Sequence, residues 1–396
     1  MTSEEVEPTQ NNNKTVPEPL STFSSLPDEI IENILARVSR WHYPSLSLVS
    51  KRFHTLLSSK EIYKTRSQIG ATETCLYVLL KLPFHPCASW FSLRTKPNNQ
   101  DSSGMSVVPI PSPPTDYFPL LRSMKTFGSY IYLIGGHYFE PSSSVSILDC
   151  RSHTWRDGPN MSVTRKSPHT VLLDEKIYVM GGCDIDKYYA NWIEVFDLKT
   201  ESWTAFPGPD VDEIRNHIRQ IGQRGCAYIV TVFEGNIYLV VDDKEYTYKP
   251  KDGTWKLVKE ISSFLSDDSI EAWCEIGKVI CCCTDSGYLM WSASEIEGRV
   301  WREIKGLEKL REHPTRVLTT GYVFALLDYG GQILVLWDLK CPLTSRHKRS
   351  KNIWYAKISL EPRCNGREVW GKIECVDVLT FPDRPYTWFH CVAALV

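Results

Sequence analysis

One segment recurs along this chain and constrains its fold more than any other feature. Ser129-Tyr-Ile-Tyr-Leu-Ile-Gly-Gly136 returns as Glu175-Lys-Ile-Tyr-Val-Met-Gly-Gly182. Looser copies follow at residues 235–242, 277–283, 321–327 and 388–395. A polar stretch, a further apolar strand pattern and a tryptophan come after each of the first five copies. Those tryptophans are Trp155, Trp203, Trp255, Trp301 and Trp354, separated by 48, 52, 46 and 53 residues. Within each copy the apolar residues repeat with the period of a strand rather than a helix.

Self-similarity at about fifty residues, with several strands per unit, predicts an all-β ring of small sheets around one axis, a propeller. The pairs Gly135-Gly136 and Gly181-Gly182 would let an innermost strand end in a sharp turn where neighbouring blades crowd together. The tryptophan would open the outer strand and fill the wedge between diverging sheets. Inner strands are expected near residues 130–136, 176–182, 236–242, 277–283, 321–327 and 388–395. The repeat resembles the kelch repeat, most clearly in its first two copies. Val241-Asp242, Cys282-Cys283 and Asp328-Tyr329 replace the glycine pair in later ones.

Both ends of this region are incomplete alone. Cys75 to Leu82 and Trp90-Phe-Ser-Leu-Arg lack an inner strand, whereas the terminal strand ending at Leu395 lacks outer ones. Joined, they complete a sixth blade and leave no open sheet edge. An open sandwich of irregular strands is the competing arrangement. Residues 72–396 would form the ring, with a flexible Asn-, Ser- and Pro-rich insertion at 96–119.

Residues 1–19 hold almost nothing to bury and read as a disordered tail. Residues 20–68 have helical periodicity instead. Pro27 suits a first turn, Ser25 with Asp28 makes a start signal, and Ile30, Ile31, Ile34, Leu35 and Val38 form one broad apolar face. Pro44 opens a second helix with Leu46, Leu48 and Val49. Ser50 can cap a third with Phe53, Leu56 and Leu57. Ser58-x-x-Glu61 opens a short fourth helix, ended by Gly70. Some forty residues cannot bury that much apolar surface alone, so the module either packs on the rest of the chain or docks a partner. Its order, L-P-x-E-I-I-x-x-I-L-x-R-V then L-x-L-V-S-K-R-F-x-x-L-L, resembles the F-box.

Together these features resemble the plant F-box/kelch-repeat family: a small all-α F-box followed by an all-β six-bladed kelch-type propeller. That resemblance implies a substrate receptor of an SCF (Skp–cullin–F-box) ubiquitin ligase, with a Skp-type adaptor, a cullin and a target protein as partners. Leu26, Pro27, Ile30, Ile34, Leu35, Leu48, Val49 and Phe53 would meet the adaptor. A non-ligase interaction scaffold and a metal-dependent propeller enzyme are the alternatives.

Net charge of −2 gives no general attraction to nucleic acid or anionic membrane. No apolar run has the length of a membrane-spanning helix, and residues 1–20 lack the apolar core of a signal peptide. Thirteen cysteines without such a leader read as reduced thiols inside the cell, cytoplasmic or nuclear. Cys281, Cys282 and Cys283 alternate between strand faces and make poor joint metal ligands. The ten histidines show no ligand spacing. Gly222-Gln-Arg-Gly225 is too short for a phosphate loop, and no nucleophile motif occurs. No catalytic residue, metal or cofactor is expected. Arg122, Arg165, Lys166 and Arg224 precede inner strands and would gather at one mouth of the ring to read an acidic target. Bonding carbonyls at strand ends is the plainer role for such arginines. Lys348, Arg349 and Lys351 fit a short nuclear-import tract.

Overall fold

The computed structural model describes residues 25–82, 87–95, 105–113, 119–137, 139–209, 212, 214–216, 219, 229–233, 235–241, 244–260, 270–277, 279–284, 287–293, 301–312, 321–339, 352–381, 386 and 388–396. The tail at 1–19, parts of the 96–119 stretch, Arg224 and the 345–351 tract lie outside the described residues. The chain divides into two compact units, one helical and one built of strands.

The helical unit has four helices: α1 (Asp28–Ala36), α2 (Tyr43–Ser47), α3 (Lys51–Ser58) and α4 (Glu61–Gln68). Pro27 is the N-cap residue of α1. Asp28 and Glu29 in the first turn favour its dipole. Ser50 caps α3 as expected, its hydroxyl accepting from the Phe53 N–H at 3.1 Å. Ile31, Leu35, Ala36, Tyr43, Leu57 and Ile62 form the core, flanked by Leu26, Leu46, Phe53 and Leu56. Arg66 of α4 is buried, donating to the carbonyls of Ala36 (2.9 Å) and Val38 (2.7 Å) and to Tyr43 Oη (3.1 Å). A cation thus closes the carbonyl end of α1 from within the core.

The second unit is a six-bladed propeller of four-stranded antiparallel sheets. The first three strands are β1 (Thr74–Lys81), β2 (Ala88–Thr95) and β3 (Met105–Ile110). One blade comprises β4 (Met124–Phe127), β5 (Tyr130–Ile134), β6 (Val145–Asp149) and β7 (Thr154–Gly158), and the next β8 (His169–Leu173), β9 (Lys176–Met180), β10 (Ile193–Asp197) and β11 (Ser202–Phe206). A third holds β12 (Ile229–Phe233), β13 (Asn236–Val241), β14 (Lys244–Lys249) and β15 (Thr254–Glu260). The fourth runs from β16 (Ile270–Ile276) through β17 (Val279–Thr284) and β18 (Leu289–Ala293) to β19 (Arg302–Glu303). The fifth is β20 (Gly321–Tyr329), β21 (Gln332–Leu339), β22 (Asn352–Arg363) and β23 (Glu368–Thr380).

Ring closure follows the expected scheme. The final strand, β24 (Trp388–Leu395), pairs along β1 from Thr74↔Leu395 to Lys81↔Trp388, giving the order β24-β1-β2-β3. Contacts run between β24 and β4, β4 and β8, β8 and β12, β16 and β20, and β20 and β24, so the first strand of each blade faces the axis. The sheet faces pack on one another. Tyr132 and Ile147 of one blade share a cluster with Ile177 and Phe196 of the next, and Cys283 and Trp291 share another with Val335 and Trp337.

Three expectations are corrected. The segments bearing Gly135-Gly136 and Gly181-Gly182 are second strands, β5 and β9, not innermost ones. By the same ordering, residues 236–241 and 279–283 lie in second strands, whereas 321–327 and 388–395 belong to first strands, the innermost position expected of them, so the copies are not equivalent from blade to blade. Trp354 accordingly falls in the third strand of its blade, while Trp155, Trp203 and Trp255 lie in outermost strands and Trp301 just ahead of one. Within the stretch read as a flexible insertion, Met105–Ile110 is the outermost strand of the closing blade.

Candidate functional site

In the helical unit, one turn of helix separates core from surface. Ile31 and Leu35 of α1 are buried, but Ile30 and Ile34 keep 49% and 39% of their surface exposed. Leu48 and Val49, just beyond α2, are 86% and 66% exposed, and Pro27 is also exposed. Leu26 and Phe53 are half-buried against the core. Leu35, expected at the docking surface, is 3% exposed and belongs to the core. The sequence could not separate Leu35 from Ile34, because both lie on the same broad apolar arc. A module of this size with a completed core and four outward aliphatic side chains presents surface that water does not favour.

In the propeller, antiparallel alternation puts the connections between blades and the loops between second and third strands on one side. Arg122, Arg165 and Lys166 all lie there, in the connections ahead of β4 and β8. Their environments differ. Arg122 sits half-buried in a 3-10 turn, Leu121–Ser123. Lys166 is exposed, and its backbone N–H donates to Gly182 O at 2.7 Å.

Arg165 is fully buried and is corrected to a structural residue. Its guanidinium donates to Glu194 Oε2 (2.9 Å) and to the carbonyls of Gly181 (2.8 Å), Asn191 (2.6 Å) and Trp192 (3.1 Å). Glu194, also buried, takes two more bonds from Ser162, through N–H at 2.6 Å and Oγ at 2.7 Å. A buried charge pair of this kind stays tolerable because every polar atom has a partner.

The glycine pairs belong to the same latch. Gly136 N–H donates to Arg165 O (3.0 Å) and Gly136 O accepts from Ser167 N–H (2.7 Å), so the connection is clamped between the Gly-Gly turns of two blades. A Cβ on Gly136 would lie 1.9 Å from Glu140 O. Gly182, at φ +72°, would place one 2.6 Å from Lys166 O. Gly136 is thus crowded by the loop between β5 and β6 of its own blade, and Gly182 by the connection between blades.

Trp155 and Trp203 are half-buried and tied backwards. Trp155 Nε1–H donates to Pro111 O and Trp203 Nε1–H to Pro159 O, each at 2.8 Å and each 44 residues away. Trp155 also packs edge-on against Trp90, with ring centroids 4.9 Å apart. This staple from one blade's outer strand to the end of the preceding one was not anticipated from the sequence. Its trace was two prolines at equal distance ahead of two tryptophans.

Among the described residues, no three His, Cys, Asp or Glu side chains gather as a metal centre requires. Cys281 and Cys283 pack into one interblade core, and burial pushes the Cys281 and Cys282 thiols up to about 12. Thiols so protonated are poor nucleophiles. Among the described residues, no helix is long and apolar enough to cross a membrane.

The molecule is therefore built of two modules, a small helical unit with outward aliphatic side chains and a closed six-bladed ring. Residues 23–65 match the F-box domain, and residues 90–380 match the FKB95, Kelch-repeats domain. The chain is 43% identical to F-box/kelch-repeat protein At5g39560 of Arabidopsis thaliana, over 99% of this chain and 97% of that protein. It is 38% identical to F-box/kelch-repeat protein At4g39590 of the same plant, over 94% and 91%. The chain belongs to the F-box/kelch-repeat family.

Proposed function

We propose that this chain is the substrate receptor of an SCF ubiquitin ligase, its F-box docking a Skp-type adaptor and its propeller holding a target protein. The observation that carries the reading is the outward set Ile30, Ile34, Leu48 and Val49 on a module whose own core is complete. Catalysis in such an arrangement is proximity: the receptor raises the concentration of target lysines near a charged conjugating enzyme, and needs no nucleophile of its own. The chain would work in the cytoplasm or nucleus, where its thiols stay reduced.

The test uses surface substitutions, which leave the core intact. Ile30→Ser with Leu48→Ser should weaken capture of the adaptor by at least about tenfold, since each buried aliphatic anchor contributes ~1–3 kcal/mol. The far-ultraviolet circular dichroism of the chain should not change. Undiminished capture by the double variant would overturn the docking assignment. Co-purification of a cullin with the wild-type chain then measures whether a ligase assembles or the chain acts as a scaffold.

A further inference from the structure

The outward apolar side chains of the helical unit come from two separate places in the chain. Pro27 and Ile30 stand at the start of α1, whereas Leu48 and Val49 stand at the corner between α2 and α3. Arg52, in the first turn of α3, links the two. Its Nη2 donates to Leu26 O at 2.7 Å and its Nε to Asp28 Oδ1 at 2.5 Å. Leu26 and Asp28 flank Pro27, so one guanidinium holds the chain on both sides of that proline.

Each end of the link is stiff. Leu26 precedes a proline, which confines its backbone to extended conformations. Pro27 has φ −56° and ψ 153°, and its carbonyl accepts from the Ile30 and Ile31 N–H groups, both at 3.2 Å. The Leu26 carbonyl lies ahead of the helix and takes the guanidinium. At the other end, Leu48 N–H donates to Ser45 O and Val49 N–H to Leu46 O, which fixes both residues to α2. Ser50 follows in extended backbone and caps α3, so the corner is also anchored to the helix that carries Arg52.

Exposure separates the two things this link could do. The Arg52 and Asp28 side chains keep 36% and 62% of their surface open to water. An ion pair so exposed adds little to folding stability. The core of Ile31, Leu35, Tyr43, Leu57 and Ile62 packs without it. What the link does fix is the placement of one apolar group against the other. A partner that had to order those groups on binding would lose affinity to the entropy of ordering them.

We propose that Arg52 is a positioning residue for adaptor docking. Its fork to Leu26 O and Asp28 locks the start of α1 to the α2–α3 corner, so that Pro27, Ile30, Leu48 and Val49 meet the partner as one preformed surface. Asp28 acts only through Arg52. An arginine is needed, because its planar fork serves two acceptors at once, whereas a lysine ammonium is a point charge. This deepens the receptor reading and rests on it for the identity of the partner.

The test is calorimetric titration of the full chain with a purified Skp-type adaptor, beside thermal melting of each variant. Arg52→Met is expected to bind roughly three- to tenfold more weakly and to melt with the wild type. Arg52→Lys should recover only part of that loss. Asp28→Asn should cost less than Arg52→Met, and the two together no more than Arg52→Met alone. Wild-type affinity in Arg52→Met or in Arg52→Lys would overturn the proposal, and a lowered melting temperature with affinity intact would mark Arg52 as structural only. Tighter binding by Asp28→Asn, or losses that add in full, would also overturn it, since each residue would then meet the adaptor on its own. Ile30→Ser with Leu48→Ser is titrated alongside. Capture lost in that variant and kept in Arg52→Met sinks the positioning role alone, whereas no capture by the wild type sinks the docking reading and this inference with it.

Discussion

Arg165 shows how one side chain decides between recognition and architecture. Its guanidinium holds Glu194 and three carbonyls with no surface left exposed. Arg165→Met would keep the aliphatic stem but strand the Glu194 carboxylate, at a cost of about 3–5 kcal/mol. Thermal melting should register that loss, and the pair Arg165→Met with Glu194→Met should recover much of it. A single variant melting within a degree or two of the wild type would contradict the latch. The position of Arg165 was legible in the sequence, as a cation in the connection ahead of a strand. Its role was not, because Glu194 is 29 residues further on and only the next blade's folding brings it near. Leu35 and Ile34 pose the same problem on a helix: hydrophobic spacing finds the apolar arc, and packing alone decides which part of it stays outside.

At the scale of strands and turns, the glycine pairs and tryptophans are joints between blades. Gly136→Ala must push the Glu140–Ser142 backbone away, since its Cβ would meet backbone atoms at 1.9 and 2.6 Å. That shift should also break the clamp on residues 165–167, with a stability loss of about 2–4 kcal/mol expected in denaturant titration. Trp155→Phe keeps an aromatic ring but loses the bond to Pro111 O; about 1 kcal/mol is expected, against ~2–4 for Trp155→Ala, which also removes the packing on Trp90. Equal melting temperatures for the two variants would mean that the indole contributes through its hydrogen bond alone. Blade number and the joining of the two chain ends were readable because period and apolar runs survive drift. Strand rank within a blade was not. An apolar run after a glycine looks alike in a first or a second strand, so Gly321–Tyr329, an innermost strand, resembles the second strands β5 and β9 in sequence.

For the whole ring, closure depends on eight residues at the far end of the chain. β24 alone supplies the axial strand of the blade that holds β1, β2 and β3. A chain truncated after Tyr386 should lose the propeller's cooperative melting transition, and a peptide of residues 386–396 added in trans should restore it. Cooperative unfolding of the truncated chain near the wild-type temperature would show that five blades suffice.

The same closure sets a timetable for synthesis. β1 is the first strand of the ring to leave the ribosome and β24 the last, with more than three hundred residues between them. At roughly 5–20 residues per second, β1 waits tens of seconds for its partner. Through that interval its apolar run, Leu76 to Leu80, has an unpaired edge open to any other strand, which makes it a client for chaperones on the nascent chain. A message cut short anywhere before the codons for β24 would yield a chain in which that edge never closes. Such a product carries its own mark of incompleteness.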